Sequence, residues 1–323
     1  MNLTQTVLIV GLGQIGMGYD LDHDPEMYVL THARAFSTHP EFELVGGVDA
    51  SSERRSVFAD KYGKPSFEVL GTALEALCPE VVVIAAPTNM HAQLVSAALD
   101  CQQVKAILCE KPLAQNVKEA NGLVEACDKA GIALFVNYMR RVDAGVIEVK
   151  QMLRDGRISS PVKGISWYSK GFFHNGSHFF NLLQYWLGSN KSANIIQSGR
   201  MWDEHDPEPD VFVRFEKGDI VFRSAWEEAF SHYTIELLSP SGRLRYDRSG
   251  AEIIWQSIRP DPQVAGYRVL SSGESIGNTM NRIQWHVVDH LARFFNGEPN
   301  AICTGEEAYE TLKSMHHIIN HIE

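Results

Sequence analysis

The chain has 323 residues, 44% of them hydrophobic and 21% charged, an ordinary profile for a soluble globular protein that excludes a disordered or fibrous chain. That length exceeds what one hydrophobic core organises, so it predicts two domains. Against 29 Lys and Arg stand 40 Asp and Glu, a formal charge of −11; this is the wrong sign for gripping a phosphate backbone, and nucleic acid is not an expected partner.

The opening MNLTQTVLIV lacks the basic region and long apolar stretch of a signal peptide, and no window approaches a membrane span, so the expectation is a cytoplasmic protein without a membrane partner. Cys78, Cys101, Cys109, Cys127 and Cys303 form an odd set with no CxxC pair and read as reduced residues.

From Thr6 to about Val136, short apolar runs alternate with amphipathic stretches, the pattern of βαβ units on a parallel sheet. The expected strands are Thr6 to Val10, Phe42 to Val48, Val81 to Ala85, Ala106 to Cys109 and Ile132 to Val136. All lack polar alternation, as strands covered on both faces do. Helices are expected at Ser52 to Tyr62, His91 to Leu99 and Val117 to Ala130, the first and last stopped by Gly63 and Gly131.

After a helix at Ala144 to Leu153, strands with alternating faces follow at Val162 to Tyr168, Val211 to Phe215, Ile220 to Trp226, Tyr233 to Leu238 and Leu244 to Tyr246. Tight polar turns at 216–219 and 239–242 argue for an antiparallel meander. Helical patterns return at His178 to Leu187, Arg282 to Phe295 and Glu306 to His321. The expected architecture is thus an α/β Rossmann domain with a doubly wound parallel sheet over 1–140. An α+β domain with an open antiparallel sheet follows over 141–323, its terminal helix able to pack back on the first.

Gly11-Leu12-Gly13-Gln14-Ile15-Gly16 directly follows the first strand. A dinucleotide fold needs glycines there for a tight turn, for close approach to the pyrophosphate and for helix packing. The second strand ends in Asp49, where a carboxylate bonds both ribose hydroxyls and repels a 2′-phosphate, favouring NAD; Arg54 and Arg55 leave NADP open. Asp49 lies 33 residues after Gly16, against a usual separation of about 20. The excess is attributed to an insertion around Tyr19 to Thr31 holding Asp20, Asp22, His23, Asp24 and Pro25. It reads as a solvated loop, with a flap over the cofactor as the sharper alternative.

Glu110-Lys111-Pro112 ends the fifth strand, and open α/β sheets bind ligands at the carboxyl ends of their strands. A lysine placed there can share a proton with a reacting hydroxyl. Isolated, the motif would read as a surface lysine before a turn proline.

It is not isolated. The ordered series of Gly11 to Gly16, Ala86-Pro87-Thr88-Asn89 with His91, Glu110-Lys111-Pro112, Asn137-Tyr138-Met139-Arg140-Arg141 and Gly176-Ser177-His178 resembles the glucose-fructose oxidoreductase, inositol dehydrogenase and rhizopine-catabolism family. The resemblance implies NAD(P), a sugar, cyclitol or nucleotide-sugar substrate, and dimers or tetramers formed through the second sheet. By the same resemblance Lys111 is the catalytic lysine and His178 the acid/base. Gly11, Gly13, Gln14, Ile15, Gly16, Asp49, Pro87, Thr88, Asn89, His91, Glu110 and Lys111 are the cofactor set, and Arg141 is a basic residue near the substrate.

The chain departs from the family where Asp is usual four residues before the histidine: it has His174 there, and Asn181 where a second Asp is common. An imidazole can bond a sugar hydroxyl but cannot supply the negative charge that raises a neighbouring histidine's pKa, so His174 itself is a rival acid/base. Tyr168, His232 and Tyr233 are further candidate substrate contacts. Zinc on the i, i+4 pair His174 and His178 is not expected, because no Cys or carboxylate third ligand is close in sequence. His316, His317 and His321 read as packing residues.

The expected activity is hydride transfer between nicotinamide and a secondary alcohol carbon. The alternatives are an NAD-dependent sugar enzyme without net redox change, and a non-catalytic NAD-binding regulator on the same fold.

Overall fold

The computed structural model describes residues 4–226 and 229–320. His321, predicted within the terminal helix, lies outside the described residues. The chain divides into two compact units, one of residues 1–142 and 281–310, the other of 143–280 and 311–323.

In the first unit, β1 (Gln5–Val10) is followed by α1 (His32–Thr38), β2 (Phe42–Val48), α2 (Ser52–Tyr62), β3 (Ser66–Phe67), α3 (Leu70–Leu77), β4 (Val81–Ile84), α4 (Thr88–Leu99), β5 (Ala106–Cys109), α5 (Val117–Ala130) and β6 (Ala133–Val136). The sheet runs β6-β5-β4-β1-β2-β3, all parallel, and the two-residue strand Cys303–Thr304 adds antiparallel to β6. This is the doubly wound parallel sheet expected. Its central strands are continuous apolar runs, with all four residues of β4 and of β5 buried, because helices cover both faces. Capping sets the helix ends: Ser51 and Asn116 accept N–H groups of Arg54 and Glu119 at the starts of α2 and α5. Gly63 and Gly131 close the same helices in the left-handed conformation.

In the second unit, α6 (Ala144–Arg154) precedes β7 (Val162–Tyr168), a π-helical turn at Gly171–Gly176 and α7 (Ser177–Leu187). There follow β8 (Asn190–Met201), β9 (Pro207–Phe215), β10 (Gly218–Ser224), β11 (Thr234–Ser239), β12 (Gly242–Asp247), β13 (Glu252–Pro260), β14 (Arg268–Leu270) and β15 (Glu274–Ile276). The order is β14-β13-β12-β11-β7-β10-β9-β8, with β15 also on β13.

The predicted hairpins β9–β10 and β11–β12 are antiparallel, but β10 pairs with β7 in parallel. The chain between β7 and β10 contains α7, β8 and β9, and such a crossover returns a strand in the same direction. One sheet face carries Val211, Val213, Phe215, Ile220, Phe222, Ile235, Leu237, Leu244 and Tyr246 into a core shared with Phe179, Phe180 and Trp186 of α7. Trp186 Nε1 donates to the carbonyl of Val146 at 3.1 Å, joining α7 to α6.

Among the described residues, no helix is long and apolar enough to cross a membrane.

Candidate functional site

The glycine loop turns out of β1 against the end of β4. Gly11 has φ of +97°, and a Cβ on it would lie 2.5 Å from the Ala85 carbonyl oxygen; one on Gly16 would lie 2.0 Å from the carbonyl oxygen of Gly11. Both positions therefore require glycine. Gly13 differs, for a Cβ there meets nothing closer than Arg54 Nη1 at 3.8 Å. Its backbone borders a cleft of about 500 Å³ that Gly11, Asp49, Arg54, Glu68, Pro87 and Met90 also line.

Asp49 stands on the β2 side of this cleft. Its Oδ2 accepts the N–H of Leu12 at 2.8 Å and its Oδ1 that of Ser51 at 2.8 Å, so the carboxylate braces the glycine loop directly. Arg54 Nη1 lies 3.5 Å from it with half its side chain exposed. Arg55 instead donates to the carbonyls of Asp49 and Ala50. The open cradle at Gly13, with a carboxylate at the end of β2, fits the pyrophosphate and ribose of a dinucleotide.

Of the expected cofactor set, Gly11, Gly13, Asp49 and Pro87 line this one cleft, and Gly16 packs beneath it. Gln14 is exposed on the loop, Ile15 is half-buried, and Thr88 and Asn89 form the first turn of α4, which Pro87 caps. Sequence reasoning missed Glu68, Leu70, Met90 and Leu94. The last two are apolar residues four apart on α4, a spacing that reads as core.

His91 requires a correction. Expected at the cofactor, it is 1% exposed. Its Nδ1 meets the carbonyl of Pro112 at 3.0 Å and its Nε2 that of Ala86 at 2.9 Å. The ring thus ties the cleft wall to the segment following Lys111, beneath the surface a ligand would touch.

Glu110 is half-buried in a polar network. Its Oε1 meets His32 Nε2 at 2.8 Å and accepts from Asn137 Nδ2 at 2.6 Å, and Asn137 reaches Gln284 Oε1 at 3.3 Å. Burial alone would raise the Glu110 carboxyl, but the bonds from His32 and Asn137 and the charge of Lys111 hold it below the usual carboxylate range. Lys111 follows directly, joined to Pro112 by a cis peptide. Arg141, 5% exposed, donates from Nη2 to Glu307 Oε1 at 2.7 Å.

The insertion at residues 19–31 is more than a solvated loop, which corrects the sequence reading. Asp22, Asp24 and Pro25 are exposed, but Asp20 is fully buried. Asp20 accepts N–H groups from Leu30 and Thr31 and the Thr31 hydroxyl, and lies 3.6 Å from Arg34 Nε. Arg34 in turn donates to the carbonyls of His23 and Tyr28. From the outside, Asn281 donates to the carbonyl of Met27 and accepts from the N–H of Val29.

In the second unit, His174 lies exposed in the π-helical turn, its ring stacked on Trp202 at 5.0 Å and 20°. His178, 8% exposed, lies in the first turn of α7. The π-helical turn breaks the regular i, i+4 face that a helical metal pair needs, and among the described residues no three His, Cys, Asp or Glu side chains are placed to hold a metal ion. Asn181 donates to Thr311 Oγ1 at 2.9 Å.

Tyr168 is a second correction. It is fully buried, with its hydroxyl donating to the carbonyl of Pro209 at 2.6 Å, and it packs in the core because β7 points it at the face α7 covers. Burial pushes its phenol well above the ordinary value. Tyr233 accepts from Asn175 at 2.8 Å and stacks on Phe179, so it braces the turn from the side. His232 packs edge-on against Trp167.

Residues 6–138 match the family described as oxidoreductases with an NAD-binding Rossmann fold. The inositol 2-dehydrogenase of Rubrobacter xylanophilus is 32% identical over 177 residues, 54% of this chain and 48% of that protein. The D-apiose dehydrogenase of Paraburkholderia graminis is 31% identical over 171 residues, 52% of this chain and 45% of that protein. Both matches span about half the length of those relatives. Among solved structures, the WlbA dehydrogenase of Bordetella pertussis, in complex with NADH and UDP-GlcNAcA, superposes with a TM-score of 0.76. It does so at 18% identity, over 99% of this chain and 96% of that one, which is a likeness of fold.

Proposed function

We propose, on the match of residues 6–138 to a family of oxidoreductases with an NAD-binding Rossmann fold, that the chain is a member of the glucose-fructose oxidoreductase, inositol dehydrogenase and rhizopine-catabolism family and transfers a hydride between a nicotinamide dinucleotide and a secondary hydroxyl or keto carbon of a sugar, cyclitol or nucleotide-sugar. The observation that carries this reading is the cleft in which the glycine loop, Asp49 and Pro87 meet. When bound, the dinucleotide supplies the hydride acceptor or donor. Asp49 holds the ribose hydroxyls and disfavours a 2′-phosphate, so NAD is the cofactor and NADP the weaker ligand. Lys111 polarises the reacting oxygen, and His178 takes the hydroxyl proton as the carbon gives up its hydride. His174 contacts the substrate beside it. The inositol and D-apiose dehydrogenases among the relatives support a polyhydroxylated substrate.

The odd set of five cysteines with no CxxC pair supports a reducing compartment such as the cytoplasm. The open sheet of the second unit is the face on which we place association into homodimers or homotetramers.

Two measurements test the proposal. Calorimetry should find NAD bound more tightly than NADP, and no dinucleotide binding to the stripped protein would overturn the reading. On a panel of sugars and nucleotide-sugars, Lys111→Met should cut turnover by at least about a hundredfold while leaving NAD affinity unchanged.

A further inference from the structure

Where the family resemblance expects a carboxylate, position 174 carries an imidazole, yet a carboxylate reaches the same turn from another element. Asp206 precedes β9 and lies under the π-helical turn. Its Oδ1 accepts the main-chain N–H of Phe173 at 2.8 Å and its Oδ2 that of His174 at 2.7 Å. Successive N–H groups converging on one anion form a nest, and charge assistance makes such bonds strong. Gly171 belongs to the same arrangement: its φ is +85°, and a Cβ there would lie 2.1 Å from Asp206 Oδ2. With 6% exposure, Asp206 is too deep to meet a ligand itself. The loop bearing it also supplies Trp202, whose N–H bonds the Asp206 carbonyl at 2.9 Å and whose ring stacks on His174. One short segment therefore holds both the main chain and the ring of His174.

We propose that Asp206 is the positioning residue of the substrate turn, acting on the substrate through His174, whose backbone it anchors and whose imidazole it sets against Trp202. The inference rests on the reading that His174 faces the substrate. Burial pushes the Asp206 carboxyl up to about 6, against the opposing bonds from Phe173 and His174, and Asp203 in the same loop pushes it the same way. The other titratable or charged groups around it are the Tyr168 phenol of β7, Glu208 of β9 with its partner Arg200 of β8, and the His174 imidazole. Protonation turns one acceptor oxygen into a donor aimed at an N–H, so the anchor should weaken as pH falls through about 6.

Hydrogen exchange on the full-length protein tests the anchor without any substrate. Asp206→Asn should speed exchange of the Phe173 and His174 amides at least about tenfold, and the wild type should show the same loss of protection below about pH 6 after correction for intrinsic rates. On whichever sugar is turned over, Asp206→Asn should lower kcat/KM about tenfold and remove an acid inflection near pH 6. Asp206→Glu should restore part of both, and adding His174→Ala to Asp206→Asn should cost nothing more. Unchanged exchange in Asp206→Asn, or additive losses in the double variant, would overturn the proposal. If no sugar is turned over, the proposed function fails while the exchange result still decides whether Asp206 anchors the turn. If Asp206→Asn does not fold, Asp206→Glu and the wild-type pH series decide.

Discussion

The main-chain N–H of His32 bonds the carbonyl of Ile15 at 3.1 Å, and that of Ala33 bonds Gly16 at 2.9 Å. Taking out residues 19–31 would turn both into ordinary i→i−4 helical bonds. It would also shorten the interval from Gly16 to Asp49 from 33 residues to 20, the separation usual in dinucleotide folds. The hydrogen-bonded turns that follow the glycine loop are thus interrupted by an insertion and taken up in register at α1. Deleting residues 19–31, which joins Gly18 to His32, should leave NAD affinity within about tenfold of wild type. Calorimetry on the deletion variant checks this, and abolished binding in a folded variant would mean that the insertion contributes directly to the cofactor site.

Asp49 offers a separate test of cofactor choice. Its carboxylate is bonded to the glycine loop through Leu12, and Arg54 stands 3.5 Å away with its side chain half exposed. Asp49→Ser removes the charge that repels a 2′-phosphate and leaves Arg54 to pair with it. NAD affinity should fall about tenfold and NADP affinity should rise by a similar factor, worth about 1.4 kcal/mol each way. Unchanged preference in paired titrations of the two nucleotides would place the ribose away from Asp49.

The parallel sheet and the cleft glycines were legible in the sequence because they rest on local rules: continuous Val and Ile runs mark covered strands, and Gly11 is demanded by one backbone turn. The limits of α2 and α5 were legible for the same reason, since Gly63 and Gly131 end them. β8 was not, for it is an edge strand of largely exposed residues with three register shifts, and such a strand carries no clean alternation. Asp206 was invisible because its partners lie 32 and 33 residues earlier; no spacing rule joins a loop carboxylate to the amides of a distant turn. Tyr168 was misread because strand alternation tells which residues share a face but not which face meets the core.

That misreading has a direct check. Tyr168 is fully buried and donates to Pro209, so Tyr168→Phe leaves one buried carbonyl without its donor. Stability should fall by about 1 kcal/mol in a urea titration, while KM for any accepted sugar stays at the wild-type value. A raised KM at unchanged stability would return Tyr168 to the substrate site.

Asp206 also makes stability depend on pH in a direction opposite to most carboxylates. Its folded-state value of about 6 lies above the ordinary 3.8, so between these two pH values the folded protein binds more protons than the unfolded chain, and its stability falls as pH rises. A displacement of about two pH units corresponds to about 3 kcal/mol, lost progressively from near pH 4 to pH 6. Asp206→Asn does not titrate and escapes that loss, although it forfeits one acceptor for the turn at every pH. The stability of Asp206→Asn minus that of wild type should therefore rise by up to about 3 kcal/mol between pH 4 and pH 7, whatever its absolute value. Denaturant titrations of both proteins across this range measure the difference with the other carboxylates cancelled, and a flat difference would mean that the carboxyl titrates as it does in water.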